Sequence, residues 1–556
     1  MSAQAPAAGT GARVEIEPKP PASVKEARGT GANAPAITAH PYMGILAVFL
    51  GLMTTTLNTR LVSVGLPDLR GALGAGFDEA SWIPTALNMG TIFIGVFSVF
   101  LGAAYGIRRV LLVSGAIFTL TSLVLPFSPT LNVMLALLVI AGLSSGSFYS
   151  LTMTFVSRNL PPKLIIFGIA AYALDVVVTN NLGALIQGVL GENLSWHWTF
   201  WTSAVLMPLV MICTYIGIPR PPASAGSLPK PGWRGFFYMG VGLSLTYAAL
   251  DQGERLDWLN SGLIVGLLVA ALIMFAVTTV RRLRQPNPFV NLPFLNARNI
   301  IILGLGIFCI RFCLLATLVM IPGFLANIQQ YRPIQTGHAL AWVAAPQFIL
   351  VWLAAISMVF VPPRIVMAAG FSTIAVACWI AAHVDSSWSG SSFQISELVF
   401  GLGVALAFVG LVTNLVVLAL ESGAVKSVTN MSTFSGWMHT MRLLGGQIGT
   451  VLFTRFLNVQ EKWHSNLIGQ NVDAGNWLTT ERLGSLTAAV APSSAGQSDA
   501  QALSIGLLNG QVRAQAYTLA SSDAFLLIAW VVVAYLFLLV FLHPSTINLR
   551  EAGNAK

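Results

Sequence analysis

The sequence predicts an all-α polytopic membrane protein, and three observations carry that prediction. Hydrophobic residues make up 55% of the chain and charged residues only 9%, against roughly 25% charged in soluble domains. Apolar runs of about 20 residues, the length a helix needs to cross roughly 30 Å of hydrocarbon, recur from one end to the other. The segments between them alternate between basic and nearly uncharged, the asymmetry that orients helices in a bilayer.

Fourteen such runs are read in order. Residues 1–40 are polar and rich in Ala, Pro and Gly, without the apolar stretch of a cleavable signal peptide, and are expected to form a disordered cytoplasmic tail. Six runs follow within 41–218: about 42–66, 80–104, 109–128, 131–157, 164–190 and 197–218. Residues 219–296 hold a Pro-rich basic linker, 219–234 (PRPPASAGSLPKPGWR), and two further runs, about 235–250 and 260–280. Six more lie within 297–545: about 299–326, 336–360, 364–383, 395–420, 430–456 and 523–542. Before the last of them, 458–521 is a polar stretch with Ser, Ala, Gly and Gln clusters, expected to be a long outer loop. Loops of that length are functional or disordered, so it is either a docking surface for a periplasmic adaptor or a solvated loop. Residues 546–556 form a second cytoplasmic tail.

Lys and Arg gather on one side: Arg108, Arg109, Arg158, Lys163, Arg220, Lys230, Arg234, Arg281, Arg282, Arg284, Arg298, Arg364 and Lys426. Arg70, Arg255 and Arg332 fall on the other, so both termini are expected in the cytoplasm. This distribution accounts for the net charge of +9 without any nucleic-acid partner. Cys213, Cys309, Cys313 and Cys378 all lie in apolar runs and read as small core residues rather than a disulfide framework. No P-loop, HExxH or cluster of metal ligands is present, so neither an enzyme nor a cofactor or metal site is expected.

Ionisable residues inside the runs are the informative exceptions. Arg60 stands in the first, in Leu57–Pro67 (LNTRLVSVGLP) beside Asn58. A guanidinium at that depth costs roughly 2.5–3.5 kcal/mol on insertion scales, so it calls for a partner or a water-filled cavity. Asp175 lies mid-run in the fifth and Arg311 in the ninth. Small residues four apart, Gly142 with Gly146 and Gly445 with Gly449, predict close helix packing.

Several segments resemble the fourteen-span drug:proton antiporters of the major facilitator superfamily, the EmrB/QacA type. Leu250–Trp258 (LDQGERLDW) resembles that family's LDxGxxxDW turn, and Pro288–Asn299 its NPxVDLxLFxxRNF segment. Ile321-Pro322 with Gly337, Arg442–Gly449 (RLLGGQIG, against RxxGGSxG) and Trp196–Phe200 (WHWTF) add three more in order. The resemblance covers about residues 43–543. It implies the major facilitator fold: two six-helix bundles around a central cavity, joined by two inserted helices, with the substrate site near the midplane. It also implies a bacterial inner-membrane exporter of small molecules driven by protons.

The departures from the family concern proton chemistry. Where the first span carries LDxTIVNVALP, this chain has Asn58 and Arg60. Of the GxLaDRxGRR turn only Gly106 and Arg108, with Arg109 after them, remain, and Ala103 takes the acidic position. RxxQG keeps only Gly142, and GPxxGG becomes Gly183–Gly188 without its proline. In the implied fold the first and fifth spans line one side of the cavity, so an Arg60–Asp175 pair with Asp175 as the proton carrier is expected. The alternative is a static pair holding two helices. Arg60 and Arg311 facing one cavity would favour amphipathic or anionic substrates, since arginine binds carboxylate bidentately. Asn58, Asn88, Asn180, Asn181, Gln347, Asn414, Trp437 and His439 complete the expected substrate site. Gly106, Arg108, Arg109, Gly142, Gly183, Gly188, Arg442, Gly445, Gly446 and Gly449 are the expected conformational positions. Loss of three ionisable family positions leaves two other readings open: a transport-deficient sensor or scaffold, and an uncoupled or importing carrier.

Overall fold

The computed structural model describes residues 37–220, 233–284, 291, 295–422, 428–473, 475–494 and 496–543. Residues 1–36 and 546–556 of the expected tails, most of the basic linker and half of the Pro288–Asn299 segment fall outside these residues. Every described element is helical. We number the long helices α1 (Pro41–Val64), α2 (Trp82–Tyr105), α3 (Ile107–Val124), α4 (Leu131–Asn159), α5 (Ile165–Asn193), α6 (Trp198–Gly217), α7 (Trp233–Gly253) and α8 (Gly262–Arg284). The second half comprises α9 (Arg298–Asn327), α10 (Pro333–Phe360), α11 (Pro363–Ala381), α12 (Gln394–Glu421), α13 (Val428–Gly469) and α14 (Gln497–Leu539). Eleven are long and apolar enough to cross a membrane, twelve with the bent α2. By the same measure α7 and α13 fall short, so fourteen spans remain compatible with the fold.

Helices α1–α6 pack into one bundle and α9–α14 into a second, while the α7–α8 hairpin lies along α2 and touches α13. Local chemistry sets the breaks. Pro41 occupies the first turn of α1, where its missing N–H costs nothing. Thr130 caps α4 by accepting from the Val133 N–H. The α2–α3 turn pivots on Gly106 at φ 90°, a left-handed conformation that side chains resist.

The small residues of α4 mark a backbone seam. A Cβ on Gly142 would lie 2.1 Å from the Leu87 carbonyl of α2, and one on Gly146 would lie 2.4 Å from that of Thr91. Gly142→Val is therefore expected to cost about 1–3 kcal/mol by overpacking, read as a lower unfolding temperature in detergent. Gly445 and Gly449 behave differently. A Cβ there would lie 3.5 and 3.2 Å from the Phe308 and Phe312 rings of α9 and 3.8 and 3.9 Å from the Cα atoms of those residues, a looser approach than that at α2.

The long outer segment departs most from expectation. Residues 458–521 are largely helical: α13 runs unbroken for 42 residues, a helix spans Trp477–Val490, and α14 begins at Gln497 and runs for 43. At 1.5 Å per residue each long helix reaches about 63 Å, twice the hydrocarbon thickness. No proline interrupts 428–469, so nothing stops the helix where apolar sequence ends.

Candidate substrate and proton site

Between the bundles, in the half away from the basic side, lies a cavity of about 320 Å³. Helix α1 presents Thr56, Arg60 and Ser63 to it, positions that share a face because they are spaced four and three apart. Asn88 and Thr91 of α2, Tyr149 of α4 and Asn180 of α5 complete one wall. Arg311, Leu315, Leu318 and Val319 of α9, with Arg442, Gly446 and Gln447 of α13, form the other. The inserted helix α7 contributes Tyr247 and Asp251.

The basic side beneath is packed shut. His439 of α13 sits where a Cβ on Gly95 of α2 would be, and its Nε2 lies 3.0 Å from the Thr91 carbonyl. Tyr172 stacks on Phe408 and Phe167 packs against Trp352, each pair joining α5 to the second bundle. On the opposite side α5 and α10 meet backbone to backbone at Gly188–Ile334 and Leu185–Gly337.

Arg60 is held by geometry that the sequence supplies piecemeal. Gly183 makes room for its stem: a Cβ there would fall 2.4 Å from Arg60 Cγ. Its Nε donates to the Asn180 carbonyl at 3.2 Å. Its Nη2 donates across the cavity to the Leu318 carbonyl at 3.4 Å. Pro322 lacks the N–H that an α-helix would direct at Leu318, four residues back, and α9 forms a π turn over Ala316–Met320 at that point. Gly183→Ala should displace the guanidinium, weakening substrate binding several-fold in a direct binding titration while the chain stays folded.

The expected Arg60–Asp175 pair is not formed among the described residues. Arg60 is drawn toward the end of α5 away from the basic side, and Thr56, one turn nearer that side, takes the carboxylate instead. Asp175 is fully buried, with Oδ2 accepting from Thr56 Oγ1 at 3.0 Å and Oδ1 from Thr179 Oγ1 at 2.8 Å. Thr56 Oγ1 lies 2.6 Å from the Tyr149 hydroxyl. A threonine hydroxyl has one proton, so with Thr56 donating to Asp175, Tyr149 donates to Thr56. That chain links the cavity surface to a carboxylate beneath it. Arg442 lies over the Tyr149 ring, its Cζ 3.4 Å from the centroid.

The other expected substrate residues divide. Asn88 and Asn180 line the cavity, their amides donating to Pro84 and Val176 carbonyls of their own helices. Arg311 lines it too, and its Nε finds no acceptor among the described residues. Asn58 does not: it is buried against α6, accepting from Ser203 Oγ at 3.3 Å. Asn181 is buried and bonded within α5, and Gln347 donates to the Gly401 carbonyl inside the second bundle. Asn414 donates to the Gly410 carbonyl, Trp437 packs near Phe434, and His439 forms the floor rather than the lining. Of the conformational positions, Arg108 stacks on Tyr215 at 3.9 Å, Arg109 is exposed, and Gly446 borders Arg311. Sequence reasoning missed Thr56, Tyr247, Asp251 and Gln447. The spacing of Thr56 four before Arg60, and of Tyr247 four before Asp251, is the signal that would have found them.

Two bundles clasping a polar, arginine-lined cavity define a secondary transporter. The chain belongs to the major facilitator superfamily, whose family profile matches residues 48–450. It is 24% identical to the probable multidrug resistance protein EmrY of Escherichia coli (strain K12) over 432 residues, 78% of this chain and 82% of that protein. It is 23% identical to the fatty acid resistance protein FarB of Neisseria gonorrhoeae over 488 residues, 86% of this chain and 91% of that one. The solved proton:xylose symporter XylE superposes with a TM-score of 0.52 at 12% identity, covering 93% of this chain and 99% of that one.

Proposed function

We propose that this chain is a proton-coupled exporter of amphipathic organic anions, working by alternating access of its two bundles. The observation that carries the reading is the meeting of Arg60, Arg311 and Arg442 on one cavity. A volume of about 320 Å³ suits a small organic molecule. Its outer end is flanked by apolar Leu315, Leu318 and Val319, so a carboxylate with a hydrophobic body matches both surfaces. The names of the relatives, multidrug resistance and fatty acid resistance, agree with export of such compounds.

Asp175 carries the exchanged proton in this reading. When ionised it accepts from Thr56 and Thr179. A proton arriving through Tyr149 and Thr56 turns one of its oxygens into a donor and forces the Thr56 hydroxyl to rotate, which alters the cavity wall next to Arg60. The basic side is the cytoplasmic face of a bacterial inner membrane, with both termini there, and the α13–α14 extension is the surface on which a periplasmic adaptor would dock. The test uses inverted membrane vesicles with a respiration-driven pH gradient and a panel of fatty acids, aromatic acids and lipophilic cations. Dissipation of the gradient by acids but not by cations is the expected result; dissipation by cations alone would overturn the anion assignment.

A further inference from the structure

We infer that Asp251, on the inserted helix α7, is a second proton-binding site, and that its ionised form ties the two bundles together at the outer rim of the cavity. The inference rests on the proton-coupled reading only for its role in transport, since the linkage itself is read from geometry. Asp251 accepts one hydrogen bond from each bundle: Thr85 Oγ1 of α2 donates to Oδ2, and Gln447 Nε2 of α13 donates to Oδ1 at 2.9 Å. Gln447 is locked in its role, and Thr85 has one alternative acceptor, the Ser81 carbonyl at 3.2 Å. The Tyr247 hydroxyl donates to Gln447 Oε1 at 3.2 Å, which turns the amide nitrogen toward Asp251. Gln252 Nε2 donates to Thr85 Oγ1 at 2.6 Å, and of the two acceptors open to the threonine proton the Asp251 carboxylate is the nearer and the charged one.

As it stands, the arrangement is that of a carboxylate accepting on both oxygens. A proton on Oδ1 faces the Gln447 amide donor and breaks that bond; one on Oδ2 reverses the Thr85 bond, whose hydroxyl turns to the Ser81 carbonyl. Either change replaces charge-assisted bonds with neutral ones of about half the strength. Asp251 lines the cavity, so protons and water reach it from there. Among the described residues it has no ion-pair partner of its own. Helix α2 carries no titratable side chain before Tyr105, and the cations of α8 (Arg281, Arg282 and Arg284) lie at its opposite end. Across the cavity stand Arg311 of α9 and Arg442 of α13. Beyond it Arg255 is engaged with Asp78, in the short helix that also holds Glu79, and Arg455 lies 3.5 Å from Glu254. Tyr247 is the other titratable group on the same face of α7.

The hairpin thus does more than join the halves: it inserts a proton-sensitive link between α2 and α13. The test is a spin-label distance between the bundles in the purified full chain in lipid nanodiscs, without substrate. Gly71→Cys, where a Cβ meets nothing within 4 Å, and Val459→Cys, 50% exposed, provide the labels, the four native cysteines being buried. Acidification should shift the distance distribution, and Asp251→Asn, which has one acceptor oxygen, should hold the acidic distribution at every pH. Thr85→Val, which removes a donor and leaves the carboxylate, should do the same in part. The same comparison is made on the Asp175→Asn background, so that any response of that carboxylate is separated from the response of Asp251. A wild-type distribution indifferent to pH, or an Asp251→Asn variant that still responds, would overturn the proposal. Because no substrate is present, failure of the anion-export reading in the vesicle assay would leave this result standing.

Discussion

Asp175→Asn should abolish substrate-driven proton movement while substrate binding persists. The substitution keeps the size of the side chain and one acceptor oxygen. Thr56 and Thr179 can both rotate their hydroxyls, one donating to the amide oxygen and the other accepting from its nitrogen. The expected cost to binding is therefore below about 1 kcal/mol, the net worth of one neutral hydrogen bond. The proton carrier, in contrast, is gone. In inverted vesicles the variant should show no gradient loss with an acid that the wild type exports. Equal proton flux in the two would assign Asp175 a purely structural role.

Arg311→Met should weaken binding of an anionic substrate roughly ten- to hundredfold, since a hydrogen bond to a charged group contributes about 1.5–3 kcal/mol and each 1.4 kcal/mol is a factor of ten. The three arginines are not equivalent. Arg60 is committed to two carbonyls; the Nε atoms of Arg311 and Arg442 both lack an acceptor among the described residues, but only Arg442 is also held against a ring, that of Tyr149. It is the guanidinium most available to a ligand. Methionine keeps the stem's bulk beside Gly446, so the loss should appear in affinity for acids and not in thermal stability. If neutral and anionic compounds lose affinity alike, the cavity has changed shape and the charge argument fails.

The substrate half of the site and its proton half are separated by a single layer. Thr56 and Tyr149 belong to both: they line the cavity and also reach, directly or through one hydroxyl, the buried carboxylate. Binding of an acid against Arg311 and protonation of Asp175 thereby act on the same wall. Arg60 spans the cavity from α1 to α9, so a movement of either bundle changes its contacts.

The sequence by itself determined the class of molecule, the helices and the depth of the unusual charges. Long apolar runs leave the backbone no stable state in lipid but helix, and Arg60, Asp175 and Arg311 are visible as breaks in those runs. Which way each helix is rotated, and against what, only the tertiary structure decided. Helix neighbours differ by 100° in direction, so Asn58 faces Ser203 while Thr56 and Arg60, two residues to either side, face the cavity. Hydropathy cannot fix that rotation in a span that is apolar on every side. Likewise Asp251 reads in sequence as part of a turn, and becomes a bridge between bundles only because α7 settles between α2 and α13. The outer segment misled for the opposite reason: polarity marks where a chain leaves the membrane, but a helix ends only where its hydrogen bonds are interrupted, and in α13 nothing interrupts them before Gly469.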